Sequence, residues 1–197
     1  MVRSASIFSV NIMMVILGMT MLAGCAGSSG MATVAEPRAV VAAEPDKATI
    51  VFYRGGNSAD TNHALLFDDS TNPPLLIGII NAGTKIAFVS DPGPRRFMVF
   101  NERPDFMEAE LTPGKTYYVE VAPTGRGTWK ERFGLNPRRG NPDVMTQLSV
   151  LSWVENTPQS QNSVAPHMSG IMRRREVALP KWERRRDRPI LKADYGQ

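Results

Sequence analysis

The stretch "KTYYVEVA" (residues 115–122) decides the fold class, because its polar and apolar residues alternate with a period of two. Successive side chains of a β-strand point to opposite faces, so alternate residues share a face. One face carries Tyr117, Val119 and Val121, and the other carries Thr116, Tyr118, Glu120 and Ala122. The pattern predicts a strand with one buried face and one wet face, as antiparallel sheets allow.

Similar runs precede this strand at spacings of roughly ten residues, separated by Gly, Pro, Asn and Asp. They are "ATIVFYR" (48–54), "HALLFD" (63–68), "LLIGII" (75–80), "TKIAFVS" (84–90), "RRFMVFN" (95–101) and "DFMEAEL" (105–111). No helical pattern interrupts them, which excludes a doubly wound α/β fold. We therefore predict a mainly β protein, a single antiparallel β-sandwich over residues 47–155 with its core in 47–122. "LLIGII" is apolar on both faces and is expected to be central, with Gly78 at a bend or a close contact.

The remaining C-terminal sequence is less regular. A further strand is expected within 127–136, and a strand or a short helix within 145–155. Residues 156–165 are polar and are interpreted as a linker. In the tail (residues 166–197), six residues fall at helical spacing: Met168, Ile171, Met172, Arg175, Leu179 and Trp182. Pro180 is expected to end or kink this helix near 177–179, unless a second helix starts there.

Three features of the strand region carry a family resemblance. A strand ends in Tyr53-Arg54, a Pro92-Gly93 step leads to Phe97, and "LTPGKTYYV" spans 111–119. In these features residues 47–122 resemble a family of small bacterial envelope lipoproteins of undefined function. The resemblance implies an immunoglobulin-like or prealbumin-like sandwich and often a basic helical tail with a tryptophan near its end. The same residues can also be explained without common ancestry, because Pro-Gly steps favour tight turns and paired aromatic residues fill a sandwich core.

The only cysteine, Cys25, follows a charged residue, a short apolar run and two small residues, which is typical of a secretory signal over residues 1–24. Leu22-Ala23-Gly24-Cys25 resembles the lipobox of bacterial lipoproteins. The resemblance implies cleavage between Gly24 and Cys25 and lipidation of Cys25. An ordinary signal peptide or a buried free cysteine are the alternatives. Residues 25–46 are expected to be the lipidated N-terminus and a flexible tether of about 25 Å.

Localisation follows from the same residues. Ala26 stands where aspartate often retains such lipoproteins in the inner membrane, so the resemblance implies the outer membrane, facing the periplasm. A lone cysteine leaves no internal disulfide, so the exported fold depends on its core.

Positive charge is concentrated in the tail, which holds nine basic and four acidic residues for a local net charge of +5, against +4 for the whole chain. The expected partners are an envelope protein or an anionic surface such as phospholipid or lipopolysaccharide. Nucleic acid is not expected at an envelope surface. Alternatively, the charges are a solvated helical face that caps the sandwich. The candidate binding residues are Arg173, Arg174, Arg175, Lys181, Arg184, Arg185 and Arg186.

Other chemistry receives little support from the sequence. His63 and His167 are far apart in the chain, so a zinc site is not expected. The turn residues Asp68, Asp69 and Asp91 leave a calcium site as a weaker alternative. The acidic hairpin (Glu102, Asp105, Glu108 and Glu110) is interpreted as a solvated strand face rather than a catalytic carboxylate pair. We predict no catalytic residue, no metal and no cofactor.

Two functions therefore remain from the sequence. The first is a non-enzymatic, membrane-anchored envelope lipoprotein that binds a partner through its sandwich and basic tail. The second is a small-ligand or carbohydrate-binding module that uses exposed aromatic residues such as Trp129 and Trp153. Exposure of those rings beside a concave surface would favour the second function.

Overall fold

A computed structural model describes residues 30–34, 45–56, 62–124 and 132–197. These residues form eleven strands and three α-helices. The strands are β1 (Ala32–Val34), β2 (Ala48–Arg54), β3 (His63–Asp68), β4 (Leu75–Asn81), β5 (Thr84–Ser90), β6 (Gly93–Phe100), β7 (Pro104–Leu111), β8 (Thr116–Pro123), β9 (Phe133–Arg138), β10 (Ser152–Glu155) and β11 (Ile190–Leu191). The helices are α1 (Pro142–Ser149), α2 (Pro158–Val164) and α3 (Met168–Glu183), with short 3₁₀ turns at Ala165–His167 and Ala193–Tyr195.

The strands form two sheets, and the prediction of a mainly β protein is confirmed. Sheet 1 has the order β1-β10-β5-β2-β8-β9, and sheet 2 has the order β11-β7-β6-β3-β4. The sheets share one apolar core, across which the rings of Phe52 (β2) and Phe97 (β6) pack edge to face with centroids 5.3 Å apart. All seven residues of β2 are buried, so this strand lies at the centre of the fold.

The prediction of purely antiparallel pairing is wrong, because both sheets are mixed. β2 pairs parallel with β8, β10 with β5, and β11 with β7, whereas the other pairs are antiparallel. Between β2 and β8 the chain passes through both sheets before it returns to the edge of β2. Parallel neighbours require such crossover connections, and strand patterning does not reveal which strands become partners.

Strand β1 lies inside residues 25–46, which are predicted to be a flexible tether. That prediction does not hold for the residues of β1. β1 pairs antiparallel with β10, and Met31 just before it is only 2% exposed. A Cβ atom on Gly78 would lie 2.8 Å from the Met31 Cε atom, so the glycine makes room for the methionine. This confirms the expected close contact at Gly78. The prediction that the strand of Gly78 is central is wrong, because β4 lies at the edge of sheet 2 and pairs only with β3 among the described strands.

The C-terminal half also differs from its predicted organisation. The expected strand near 127–136 begins at Phe133, and the region 145–155 contains both the end of α1 and strand β10. The predicted linker contains α2, in which Thr157 forms a capping box with Ser160 and Val164 is buried.

The tail contains the predicted helix, but α3 continues through Pro180. Proline removes one helical hydrogen bond, and the buried Trp182 beyond it holds the last turn in place.

None of the helices in the described ranges has the length and apolar character needed to cross a membrane.

Candidate functional site

Helix α3 packs on the outer face of sheet 2. Phe97 and Met107 are paired neighbours and share the face toward sheet 1, so Phe106 points to the opposite face. There the Phe106 ring meets the ring of Trp182, with centroids 5.6 Å apart. Ile171, Arg175 and Trp182 therefore line the side of α3 that lies on the sheet.

A buried carboxylate fixes the middle of α3 to sheet 2. The side chain of Asp69, in the turn after β3, is fully buried and accepts from two arginines. Arg96 of β6 donates from Nε to Asp69 Oδ2 at 2.6 Å, and Arg175 of α3 donates from Nε and Nη2 to the same carboxylate. Such charge-assisted pairs fix orientation as well as position. Arg175, predicted as a binding residue, is thus part of the fold.

The acidic hairpin binds the end of the tail, so two of its members are ion-paired within the fold as well as partly exposed to solvent. Arg185 donates to Asp105 at 3.2 Å, and Arg188 donates to Glu108 at 3.0 Å. Burial raises the pKa of Asp105 above its ordinary value, although Arg185 acts in the opposite direction. The sequence contained a signal for this contact, because the acidic hairpin and the basic tail have complementary charge.

A concave surface opens beside the other side of α3. This basic cleft has a volume of about 640 Å³ and is lined by Glu102, Arg103, Pro104, Arg132, Arg173, Arg174, Val177, Ala178 and Lys181. Arg173, Val177 and Lys181 repeat every four residues, so they share one side of the helix. Five basic side chains and one carboxylate are among the described residues around the cleft, which gives it a strongly positive character. Val177 is 60% exposed and adds an apolar surface.

Most of the basic groups in the cleft have no acidic partner in the described part of the chain. Within the described ranges, Arg103, Arg132, Arg173 and Lys181 have no carboxylate within ion-pair distance. Arg174 is held more firmly, since Nη1 donates to the Glu102 carbonyl oxygen at 2.8 Å and its guanidinium lies 5.9 Å from the Phe100 ring centroid. Guanidinium and ammonium groups in this arrangement suit carboxylate or phosphate oxygens.

The structure divides the seven predicted binding residues of the tail. Arg173, Arg174 and Lys181 line the basic cleft, Arg175 and Arg185 belong to ion pairs, and Arg184 and Arg186 are exposed beyond the end of α3. Gly24 and Cys25 lie outside the described residues. Arg103 and Arg132 were missed, because only the folded chain brings the β6–β7 turn and the start of β9 next to α3.

The aromatic alternative has little geometric support. Trp153 is half-buried, and the Lys85 ammonium lies 4.4 Å from its ring centroid. Burial lowers the pKa of Lys85, whose Nζ also donates to the Leu148 carbonyl oxygen at 2.6 Å. One face of the indole is therefore covered by the protein. Trp129 lies outside the described residues.

The candidate metal ligands do not form a site in the described part of the chain, where no group of three or more His, Cys, Asp or Glu side chains could hold an ion. The turn aspartates have protein partners. Asp69 pairs with Arg96 and Arg175, Asp91 pairs with Lys47 and Arg95, and Asp68 accepts from the Ser70 backbone N–H.

No family model matches the chain, and no curated protein is significantly similar to it. The resemblance to small envelope lipoproteins therefore remains a prediction from the sequence motifs.

Proposed function

We propose that the chain is a lipid-anchored, non-enzymatic envelope protein that binds an acidic segment of a partner protein in its basic cleft. Lipidation at Cys25 would attach it to the periplasmic face of the outer membrane. Two sheets around one core support the finer proposal of an immunoglobulin-like or prealbumin-like sandwich. The lipobox supports the anchor.

One observation carries the binding proposal, namely that the basic cleft holds arginine and lysine side chains without a carboxylate partner in the described chain. Not every arginine of the tail is available in this way, because Arg175 and Arg185 are ion-paired within the fold. The cleft is concave and includes Val177, Ala178 and Pro104. A peptide that combines acidic and apolar side chains fits such a surface better than a flat membrane does.

Charge reversal in the cleft tests this function without disturbing the fold. The test variant is Arg173→Glu with Lys181→Glu, and the control is Arg184→Glu with Arg186→Glu, which makes the same change in net charge on exposed residues outside the cleft. Deletion of the tail is a poor test, because Trp182 and Leu191 are buried and Gln197 pairs with Thr116.

Two measurements use these variants. In the first, binding of a fluorescent oligoglutamate peptide should weaken by about tenfold in the cleft variant and much less in the control. In the second, affinity capture from detergent-solubilised envelopes should recover a partner with wild type and control but not with the cleft variant. Equal losses in both variants would show a general charge effect, and no capture by wild type would contradict a protein partner.

A further inference from the structure

A second depression lies at the N-terminal end of α3, and none of the described residues that line it is charged. This apolar groove has a volume of about 440 Å³, and its lining includes Pro73, Pro74, Leu75, Leu76, Val164 and Met168. The remaining described residues around it, Thr71, Gln161 and Ala165, are also uncharged. Leu75 is 52% exposed, so its apolar side chain is accessible at the rim of the groove.

The groove lies close to the point where the chain leaves for Cys25. Gly30 is held against α2, because Thr157 Oγ1 donates to its carbonyl oxygen at 2.6 Å. A Cβ atom on Gly30 would lie 3.0 Å from Gln159 Cγ, and Gln161, two residues further along α2, lines the groove. Only residues 26–29 separate Gly30 from Cys25. Even fully extended, this connection spans no more than about 18 Å between the two Cα atoms.

The apolar groove and the basic cleft lie at opposite ends of the strands of sheet 2. β3 and β6 are antiparallel, with Leu65 opposite Phe100 and Asp68 opposite Phe97. The chain beyond the end of β3 leads into the groove, whereas the chain beyond the end of β6 leads into the cleft. From the Leu65–Phe100 pair to the Asp68–Phe97 pair the strands advance by three residues, about 10 Å, and the cleft and the groove lie beyond these two pairs in opposite directions. A membrane at the groove therefore leaves the cleft open on the distant side.

We propose that the rim of the apolar groove rests on the membrane that holds Cys25, with Leu75 in the headgroup interface and the basic cleft facing away. This inference rests on the proposed lipidation of Cys25. Apolar side chains in the interface add to lipid anchoring, and the short connection brings this surface to the bilayer rather than another. The orientation also explains why a protein partner is favoured over the headgroups of the same membrane.

The test uses the full chain, lipidated and reconstituted into phosphatidylethanolamine/phosphatidylglycerol vesicles. Because Cys25 is the only cysteine and its sulfur would carry the lipid, an introduced cysteine is the only free thiol for a polarity-sensitive fluorophore. The probe position is Leu75→Cys. The controls are Val177→Cys in the cleft and Val150→Cys after α1, both at exposed positions. Quenching by brominated lipids reports contact with the bilayer.

The expected result is a blue shift and lipid quenching at Leu75→Cys, with neither at Val177→Cys or Val150→Cys. Insertion of a long Gly/Ser spacer between Ala26 and Ser29 should reduce the quenching at Leu75→Cys. Equal quenching at all positions, or quenching at Val177→Cys alone, would overturn the orientation. A blue shift without lipid quenching would also overturn it, because the groove would then hold an acyl chain or another apolar group.

Mass spectrometry of the purified protein separates this inference from the proposed function. An unmodified Cys25 would contradict the lipid anchor itself. An acylated Cys25 together with an unquenched Leu75→Cys would contradict only the orientation.

Discussion

Two sides of helix α3 carry similar residues but have different surroundings. On the side toward sheet 2, Arg175 is bound to the buried carboxylate of Asp69, and Trp182 packs on Phe106. On the side toward the basic cleft, Arg173 and Lys181 are exposed, with no carboxylate partner among the described residues. The first side holds the tail to the fold, and the second leaves positive charge available.

The difference between these sides follows from helix geometry. Each residue advances by about 100° around an α-helix, so three consecutive arginines point in three directions. Arg173 faces the cleft, Arg174 reaches the Glu102 carbonyl oxygen, and Arg175 reaches Asp69. A run of like charges is therefore not one functional unit, and its members are expected to respond differently to substitution.

The largest effect is expected from Trp182→Ala, which removes the main apolar contact of the sheet-facing side. Trp182 is 4% exposed, and truncation of a buried tryptophan typically costs about 4 kcal/mol of unfolding free energy. The loss should be measured by chemical denaturation. Trp182→Phe is the matched control, since it keeps a ring against Phe106 and removes an indole N–H that has no acceptor in the described chain. Equal losses in the two variants would contradict a packing role.

The second prediction compares two arginines on opposite sides of α3. Arg175→Ala leaves the Asp69 carboxylate with Arg96 as its remaining arginine and should cost about 2 kcal/mol of unfolding free energy. Arg173→Ala removes an exposed side chain and should change stability by less than about 0.5 kcal/mol. Chemical denaturation measures both values. Similar costs at the two positions would break the distinction between the sides.

Much of the β architecture was predictable from residues 48–122, because alternation and turn residues are local properties. All six runs that precede "KTYYVEVA" correspond to strands of the structure. Pairing was not predictable, since the parallel contact of β2 with β8 depends on how the chain crosses between sheets. The docking of β1 was also missed, because a three-residue strand is too short to produce a period.

The candidate site was predictable only in part. The charge of the tail indicated Arg173, Arg174 and Lys181, but it could not separate them from Arg175 and Arg185. That separation depends on which carboxylates the folded chain places nearby. The acidic hairpin was treated as a surface by itself, whereas it binds Arg185 and Arg188. Matching opposite charges between distant segments would have indicated this contact.

The smallest predicted effect is on the pH dependence of stability, and it differs in sign between Asp105 and Asp187, which both accept from Arg185. Burial raises the pKa of Asp105 above 3.8. The carboxyl group therefore binds its proton more tightly in the folded protein than in the unfolded chain. The stability that this carboxyl group contributes is fully present below pH 3.8, the unfolded pKa. It is lost as the pH rises through the higher pKa of the folded protein. Asp105→Asn removes this titration. The variant should therefore gain stability relative to wild type as pH rises from below 3.8 to neutral.

Asp187 provides the control with the opposite sign. It also pairs with Arg185 but is fully exposed, and a hydrogen bond from Arg185 lowers its pKa below 3.8. The stability that Asp187 contributes is therefore present above pH 3.8, the unfolded pKa. It is lost as the pH falls through the lower pKa of the folded protein. Relative to wild type, Asp187→Asn should lose a little stability as pH rises to neutral, whereas Asp105→Asn gains it. Denaturation midpoints across pH measure both trends. Slopes of the same sign would show that burial does not distinguish the two partners of Arg185.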